Sequence, residues 1–245
     1  MIELPSRADR LPLQLASPLL NAPGVWAPGS RLPLESLGAL VTPLLSLEWD
    51  GDASAWESGP GTFIWAPPRR PLKRFLQRLG RERSTLPHLL ALAPATPGEI
   101  GRTLAEIIEL EEEQVAGYLL WHTTPDMVSS ARSLVPALPL LAELPCTETV
   151  SGARALVEAG ADSLWVGPPQ VEGGKRLWGP AALPLLLAAI TALHKELPEI
   201  PLIAGAGIAS PSDAQRARTA GAALIALDPA WWVQPGLASE IASSL

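Results

Sequence analysis

Short apolar runs alternate along the chain with amphipathic segments, and the spacing within each decides its element. The runs Leu19–Trp26, Ala39–Leu44, His88–Pro94, Gly117–Thr123, Leu138–Leu144, Ser163–Gly167, Pro201–Gly205 and Ala223–Leu227 are bounded by Pro, Gly and polar residues, which predicts strands. They are apolar almost throughout instead of alternating. Parallel strands read this way when helices cover one side and a packed interior fills the other. Between the runs, apolar positions recur at helical spacing, as Ile100, Leu104, Ile107 and Ile108 do after "ATPGEI". There Thr96 is the predicted cap, Pro97 the first helical residue and Glu99 the acid that closes a capping box. "ASPSDA" repeats the pattern with Ser210, Pro211 and Asp213. Eight strand–helix units in succession predict an α/β fold, a single (β/α)8 TIM barrel over residues 1–245.

One stretch interrupts the repeat. Residues 46–80, between the second and third runs, form an insertion rich in Gly, Pro and Trp. It follows the C-terminal end of a strand, where barrels of this kind build their sites. It leads into "PRRPLKRFLQRLGRER" (Pro68–Arg83), which carries seven of the eighteen cations above an apolar stripe of Leu72, Phe75, Leu76 and Leu79. That pattern predicts an outer helix with a solvated basic face, the alternative being an anion or partner site.

Composition narrows the class. Apolar residues at 47% and charged residues at 18% exclude a disordered chain. A net charge of −7 gives no general attraction to nucleic acid. No apolar run is long enough to span a bilayer, and Met1–Asp9 lacks the basic and apolar regions of a signal peptide, so a cytoplasmic protein is expected. The single cysteine, Cys146, excludes an internal disulfide and predicts a small buried side chain; no metal site is expected.

Four segments in order, "SPLLNAPGVW" (Ser17–Trp26), "LGALVTP" (Leu37–Pro43), "WGPAALP" (Trp178–Pro184) and "IPLIAGAGIASPSDAQRARTAGAALIAL" (Ile200–Leu227), make the chain resemble the dihydroorotate dehydrogenase family, its soluble class 1 members above all. The resemblance implies a barrel that binds FMN, oxidises dihydroorotate to orotate in pyrimidine biosynthesis and forms a homodimer. It also implies positions for the site, and there the chain departs from the family. In "LLWHTTPD" (Leu119–Asp126), registered on Pro125, Thr124 stands where the family has its catalytic cysteine, and Trp121 and Asp126 stand at the flanking asparagines. Pro43 and Glu143 replace two lysines that face the flavin. Ile64 and Pro168 replace substrate-orienting asparagines. A carboxylate at Glu143 opposes the negative charge a reduced flavin develops.

The FMN phosphate would lie at strands seven and eight. Gly205 and Gly207 keep half of that cradle, but "LDPAWW" replaces the other half. Asp228 before Pro229 is a good cap, and its carboxylate is predicted to take the N–H groups a phosphate needs. The alternative is an Asp228 turned outward, with the phosphate site open.

Nine tryptophans stand against three Phe and Tyr together. Trp26, Trp121, Trp165 and Trp231 fall at or near strand C-termini, and Trp65 and Trp178 fall in loops of the same face. They either fill the volume of a lost flavin or line a new ligand pocket with Glu143, Asp126 and His122 as polar contacts. Strand alternation turns Trp121 inward and His122 toward the helix layer. The loop Pro168–Pro180, with Gly173-Gly174 and the cations Lys175-Arg176, is expected as a mobile surface turn, or less simply as an anion-gripping lid.

The expectation drawn from these departures is a divergent barrel that has lost dihydroorotate oxidation and FMN binding and binds an unknown small molecule or protein partner. Two alternatives stand beside it. One is an FMN oxidoreductase with a rebuilt site, in which Gly205 and Gly207 hold the phosphate and Thr124 or Glu143 moves the proton. The other is a non-flavin enzyme using Glu143 and Asp126 as an acid and base pair.

Overall fold

A computed structural model describes residues 2–4, 10–47, 55–79, 85–94, 96–109, 115–171 and 175–245. Gly173 and Gly174, together with residues 80–84 of the basic segment, lie outside them. A short antiparallel pair, β1 (Ile2–Leu4) and β2 (Leu13–Leu15), precedes the main sheet. The main sheet comprises β3 (Leu19–Asn21), β4 (Leu40–Val41), β5 (Leu44–Ser46), β8 (Arg69–Pro71), β9 (His88–Leu92), β10 (Val115–Leu120), β11 (Leu140–Pro145), β12 (Ser163–Gly167), β14 (Leu202–Ala204) and β15 (Ala222–Leu227). These ten strands are all parallel and run β3-β15-β14-β12-β11-β10-β9-β5-β8, with β4 also on β9.

Each apolar run of the sequence contains a strand, and β9, β12 and β14 are buried along their whole length, as strands covered on both faces require. The expectation of eight strands in a closed ring needs correction. The second run breaks at Thr42-Pro43 into β4 and β5, since proline donates nothing to a ladder. The insertion contributes β8, and the curled sheet remains an open half-barrel, with no ladder joining β3 to β4 among the described residues. Hydrogen bonds cross that seam at two places among the described residues. Gly38 N–H donates to Leu19 O at 2.7 Å. The buried Asn21 amide donates to Val41 O at 2.7 Å and accepts from Val41 N–H at 2.9 Å, doing with a side chain what a neighbouring strand does with its backbone.

Helices α1 (Leu72–Leu79), α2 (Pro97–Glu109), α3 (Pro125–Leu134), α4 (Val150–Glu158), α5 (Leu183–Glu196), α6 (Pro211–Ala220), α7 (Ala230–Val233) and α8 (Leu237–Ala242) connect and follow the strands. Helix α1 buries Leu72, Phe75, Leu76 and Leu79, the predicted stripe. Thr96 caps α2 through Glu99 N–H and Ser210 caps α6 through Asp213 N–H. Among the described residues, no helix is long and apolar enough to cross a membrane.

The two ends of the half-barrel differ. At the N-terminal end Asp162 is clamped between Arg10 and Arg132 and also accepts from Leu140 N–H at 2.9 Å. At the C-terminal end a second, antiparallel sheet forms from β6 (Ala55–Gly59), β7 (Thr62–Trp65) and β13 (Arg176–Trp178). It pairs the insertion with Arg176–Trp178 of the loop after β12, so Arg176 and Trp178 are buried in a strand there and not in a surface turn.

Candidate functional site

The C-terminal end holds the residues that the sequence singles out. Trp26, Trp65, Trp121, Trp165, Trp178 and Trp231 are each at most 2% exposed. Trp121 and Trp178 stack with planes 4° apart and centroids at 6.3 Å, and Trp65 tilts against Trp178 at 5.4 Å. Such rings bury large areas and add pairwise attraction besides. Trp178 Nε1 donates to Trp65 O, and Trp231 Nε1 donates to Pro235 O. Trp65, Trp121 and Trp178 thus pack on one another, while the buried Trp165 Nε1 has no hydrogen-bond partner among the described residues.

Gly205 makes room for one of them. A Cβ placed there would meet Trp165 Nε1 at 2.1 Å, so the absent side chain is where the indole sits. Gly207 has φ +79°, a left-handed conformation suited to glycine, and its N–H donates to Asp228 Oδ2 at 2.8 Å. Gly179 N–H donates to the same oxygen at 2.8 Å, and Ala230 N–H donates to Oδ1 at 2.9 Å. Asp228 is fully buried. Burial pushes its carboxyl up to about 6, against the pull of the three N–H groups toward the ionised form.

Across the mouth, Glu143 on β11 is 1% exposed and faces Arg176, also 1% exposed, on β13. Arg176 Nη2 lies 3.1 Å from Oε1 and donates to Oε2 at 3.4 Å, while Nη1 donates to Pro168 O at 2.8 Å. The guanidinium also stands over the Trp121 ring, 5.6 Å from its centroid. Burial raises the Glu143 carboxyl, and Arg176 offsets part of that rise. A buried charge demands such a partner.

His122 sits between these groups. Its φ of +54° is the one positive value found at a non-glycine residue among those described. The turn takes it out of the strand, so the alternation that assigns it to the helix layer does not apply. Glu143 Oε2 accepts from its N–H at 3.1 Å, and Arg176 Nη2 is 3.2 Å from each ring nitrogen. Although the residue is exposed, the packed side of the ring and the cations Arg176 and Arg69 lower its pKa to about 4, so the imidazole is neutral near pH 7.

Thr124 is a helix cap. Its Oγ1 accepts from Met127 N–H at 3.4 Å at the start of α3, and no base stands against its hydroxyl among the hydrogen bonds described. Asp126 is exposed on the first turn of α3, whereas Glu143 is buried. The two carboxyls do not share a cleft: the open pocket of about 350 Å³ beside Thr124 and Glu143 is lined by both of these and not by Asp126. Cys146 is buried and its thiol is pushed up to about 11, mainly by burial, which leaves it unreactive.

Sequence reasoning put Arg176 on a surface turn or lid and not beside Glu143, and it gave Gly179 no role. The signal for Arg176 was a lone carboxylate, Glu143, inside an apolar strand, which requires a buried cation from elsewhere in the chain. No protein-family model and no curated protein matches this chain.

Proposed function

We propose that this chain is a (β/α)8-type barrel of dihydroorotate dehydrogenase-like ancestry that no longer holds FMN or oxidises dihydroorotate, and that it serves as a binding protein. The observation that carries this reading is the Asp228 carboxylate. It accepts from Gly207, Gly179 and Ala230 N–H groups that converge from three segments. Converging backbone N–H groups of this kind make an anion site. A side chain of the chain itself fills it, and a flavin phosphate brought there would meet both occupied donors and a carboxylate.

The neighbouring residues support the same conclusion. Trp165 occupies the space beside Gly205, and the stacked Trp121 and Trp178 occupy the mouth. The Glu143 carboxylate is committed to Arg176 and His122 N–H, and at the position that the resemblance gives to a flavin-facing lysine it would oppose the charge of a reduced flavin. These residues do not fit FMN, and Thr124, engaged as a cap, is not poised to take a proton from a substrate.

The test is a titration of the purified protein into FMN, followed by flavin fluorescence. The expected result is no saturable change. Stoichiometric quenching that is abolished by Gly207→Trp would overturn the reading.

A further inference from the structure

Helix α1 carries charge that its folding does not explain. Lys73, Arg74, Gln77 and Arg78 are exposed on the side opposite the buried Leu72, Phe75, Leu76 and Leu79. We propose that this face docks an acidic segment of a partner protein, an extended stretch rich in Glu or Asp. The proposal rests on reading the chain as a binding protein, and it gives that role a partner of stated chemistry.

Local electrostatics is the first argument. Helices are favoured by acids in the first turn, by cations in the last, and by opposite charges four residues apart. Helices α2, α3 and α6 follow the first rule with Glu99, Asp126 and Asp213. Helix α1 has no acid there and places Lys73 and Arg74 in its first turn. Arg74 also stands four residues before Arg78, a like-charge pair that disfavours the helix. Lys73 is offset by Glu106 on α2, whose Oε1 lies 2.6 Å from its Nζ. Arg74 and Arg78 make no ion pair or hydrogen bond among the described residues. The apolar stripe holds the helix to the core without them. A local rule broken with no gain inside the fold marks a functional position.

Charge complementarity and spacing are the second. Arg69–Leu79 carries five cations and no acid, so the rest of the chain, at −7 overall, carries −12. The helical rise sets Arg74 and Arg78 about 6 Å apart along the axis. In an extended peptide the side chains on one face repeat at about 6.6–6.8 Å. Acids at alternate positions of such a peptide therefore meet both guanidiniums, each of which can hold a carboxylate through two parallel N–H donors. The helix is only about 12 Å long. A short acidic peptide fits within that length, whereas a long polyanion such as nucleic acid would run on over a chain of opposite preference. The apolar side of α1 is spent on the core, which leaves nothing to insert into a membrane surface.

A fluorescein-labelled peptide of four Glu-Ser repeats is the probe, titrated with the full chain and followed by anisotropy; its Gln-Ser counterpart and an octauridylate are the controls. At ~50 mM salt the Glu-Ser peptide should bind saturably with a Kd below about a millimolar, and at ~0.5 M salt at least about fivefold more weakly. Arg74→Gln combined with Arg78→Gln should weaken it at least about fivefold. Arg31→Gln combined with Arg154→Gln, two exposed positions in the loop after β3 and on α4, removes the same charge and should change the Kd less than about twofold. The α1 double variant should melt no lower than wild type, because the like-charge pair is relieved. Absence of saturable binding, equal losses in the two double variants, a lowered melting temperature of the α1 variant, or octauridylate or the Gln-Ser peptide bound as tightly as Glu-Ser would overturn the proposal. A chain that takes up FMN overturns the reading beneath it; a chain that takes none and fails these tests overturns this proposal alone.

Discussion

Asp228 behaves as an internal ligand, so removing it should leave a site that an external anion can refill. Asp228→Ala deletes the acceptor of three N–H groups at 2.8, 2.8 and 2.9 Å in a fully buried position. Each buried donor left unsatisfied costs about 1–3 kcal/mol. One water entering the hole can accept from only some of them, and the cost of burying the carboxylate disappears with it. The expected net loss is therefore about 3–5 kcal/mol, in the range of broken buried pairs. At roughly 2–4 °C per kcal/mol for a chain of this size, the melting temperature falls by about 10 °C. Urea unfolding of wild type and variant, each with and without formate, measures both the loss and its repair. Formate fits the carboxylate-sized hole and should return up to about 2.7 kcal/mol at a hundredfold excess over its Kd, with no effect on wild type beyond that of chloride. A loss below about 1 kcal/mol, or equal effects of formate on both proteins, refutes the reasoning.

Other expectations follow from neighbouring groups. Arg176→Met should destabilise by about 3–5 kcal/mol because it strands the buried Glu143 charge, whereas adding Glu143→Leu to it should recover most of that loss in urea unfolding. Gly205→Ala forces a Cβ onto Trp165 Nε1; its cost of about 1–3 kcal/mol should shrink in a Trp165→Leu background, a coupling that a double-mutant cycle measures. His88 is 1% exposed, both of its ring nitrogens lack a hydrogen-bond partner among the described residues, and burial lowers its pKa below the ordinary 6.5. Below about pH 6.5 the unfolded chain thus binds the proton first, and stability is lost as pH falls; His88→Leu should flatten that slope. Asp228 has the opposite sign: with a folded pKa near 6 above its ordinary 3.8, the native state binds the proton first, so its contribution declines as pH rises from about 4 to 6. Comparing pH–stability curves of wild type, His88→Leu and Asp228→Ala separates the two.

The strands were legible because burial on both faces leaves an apolar signature that no loop carries, and seven of the eight runs coincide with one strand each. The second run failed because Thr42-Pro43 interrupts the ladder, a local effect inside an apolar stretch. Closure was not legible at all: whether Asn21 pairs across a seam or faces a ligand depends on a residue twenty positions away. In the site, one donor to Asp228 is local, Ala230 N–H two residues on, although Pro229 and not Asp228 takes the N-cap position of α7. Its two remaining donors, Gly207 and Gly179, come from distant segments, and only tertiary structure unites them. The loop after β12 was misread for the same reason. Lys175-Arg176 looks solvated in sequence, yet pairing of β13 with β7 buries Arg176 beside Glu143. At His122 the chain leaves the strand and turns left-handed, so alternation, which holds only for an extended chain, does not decide where its ring lies.

The visible absorption spectrum of the purified protein, before and after incubation with excess FMN and gel filtration, tests the central claim most directly. The filled cradle and stacked tryptophans predict a colourless protein in both samples. Flavin bands at one equivalent per chain in either sample would contradict the account.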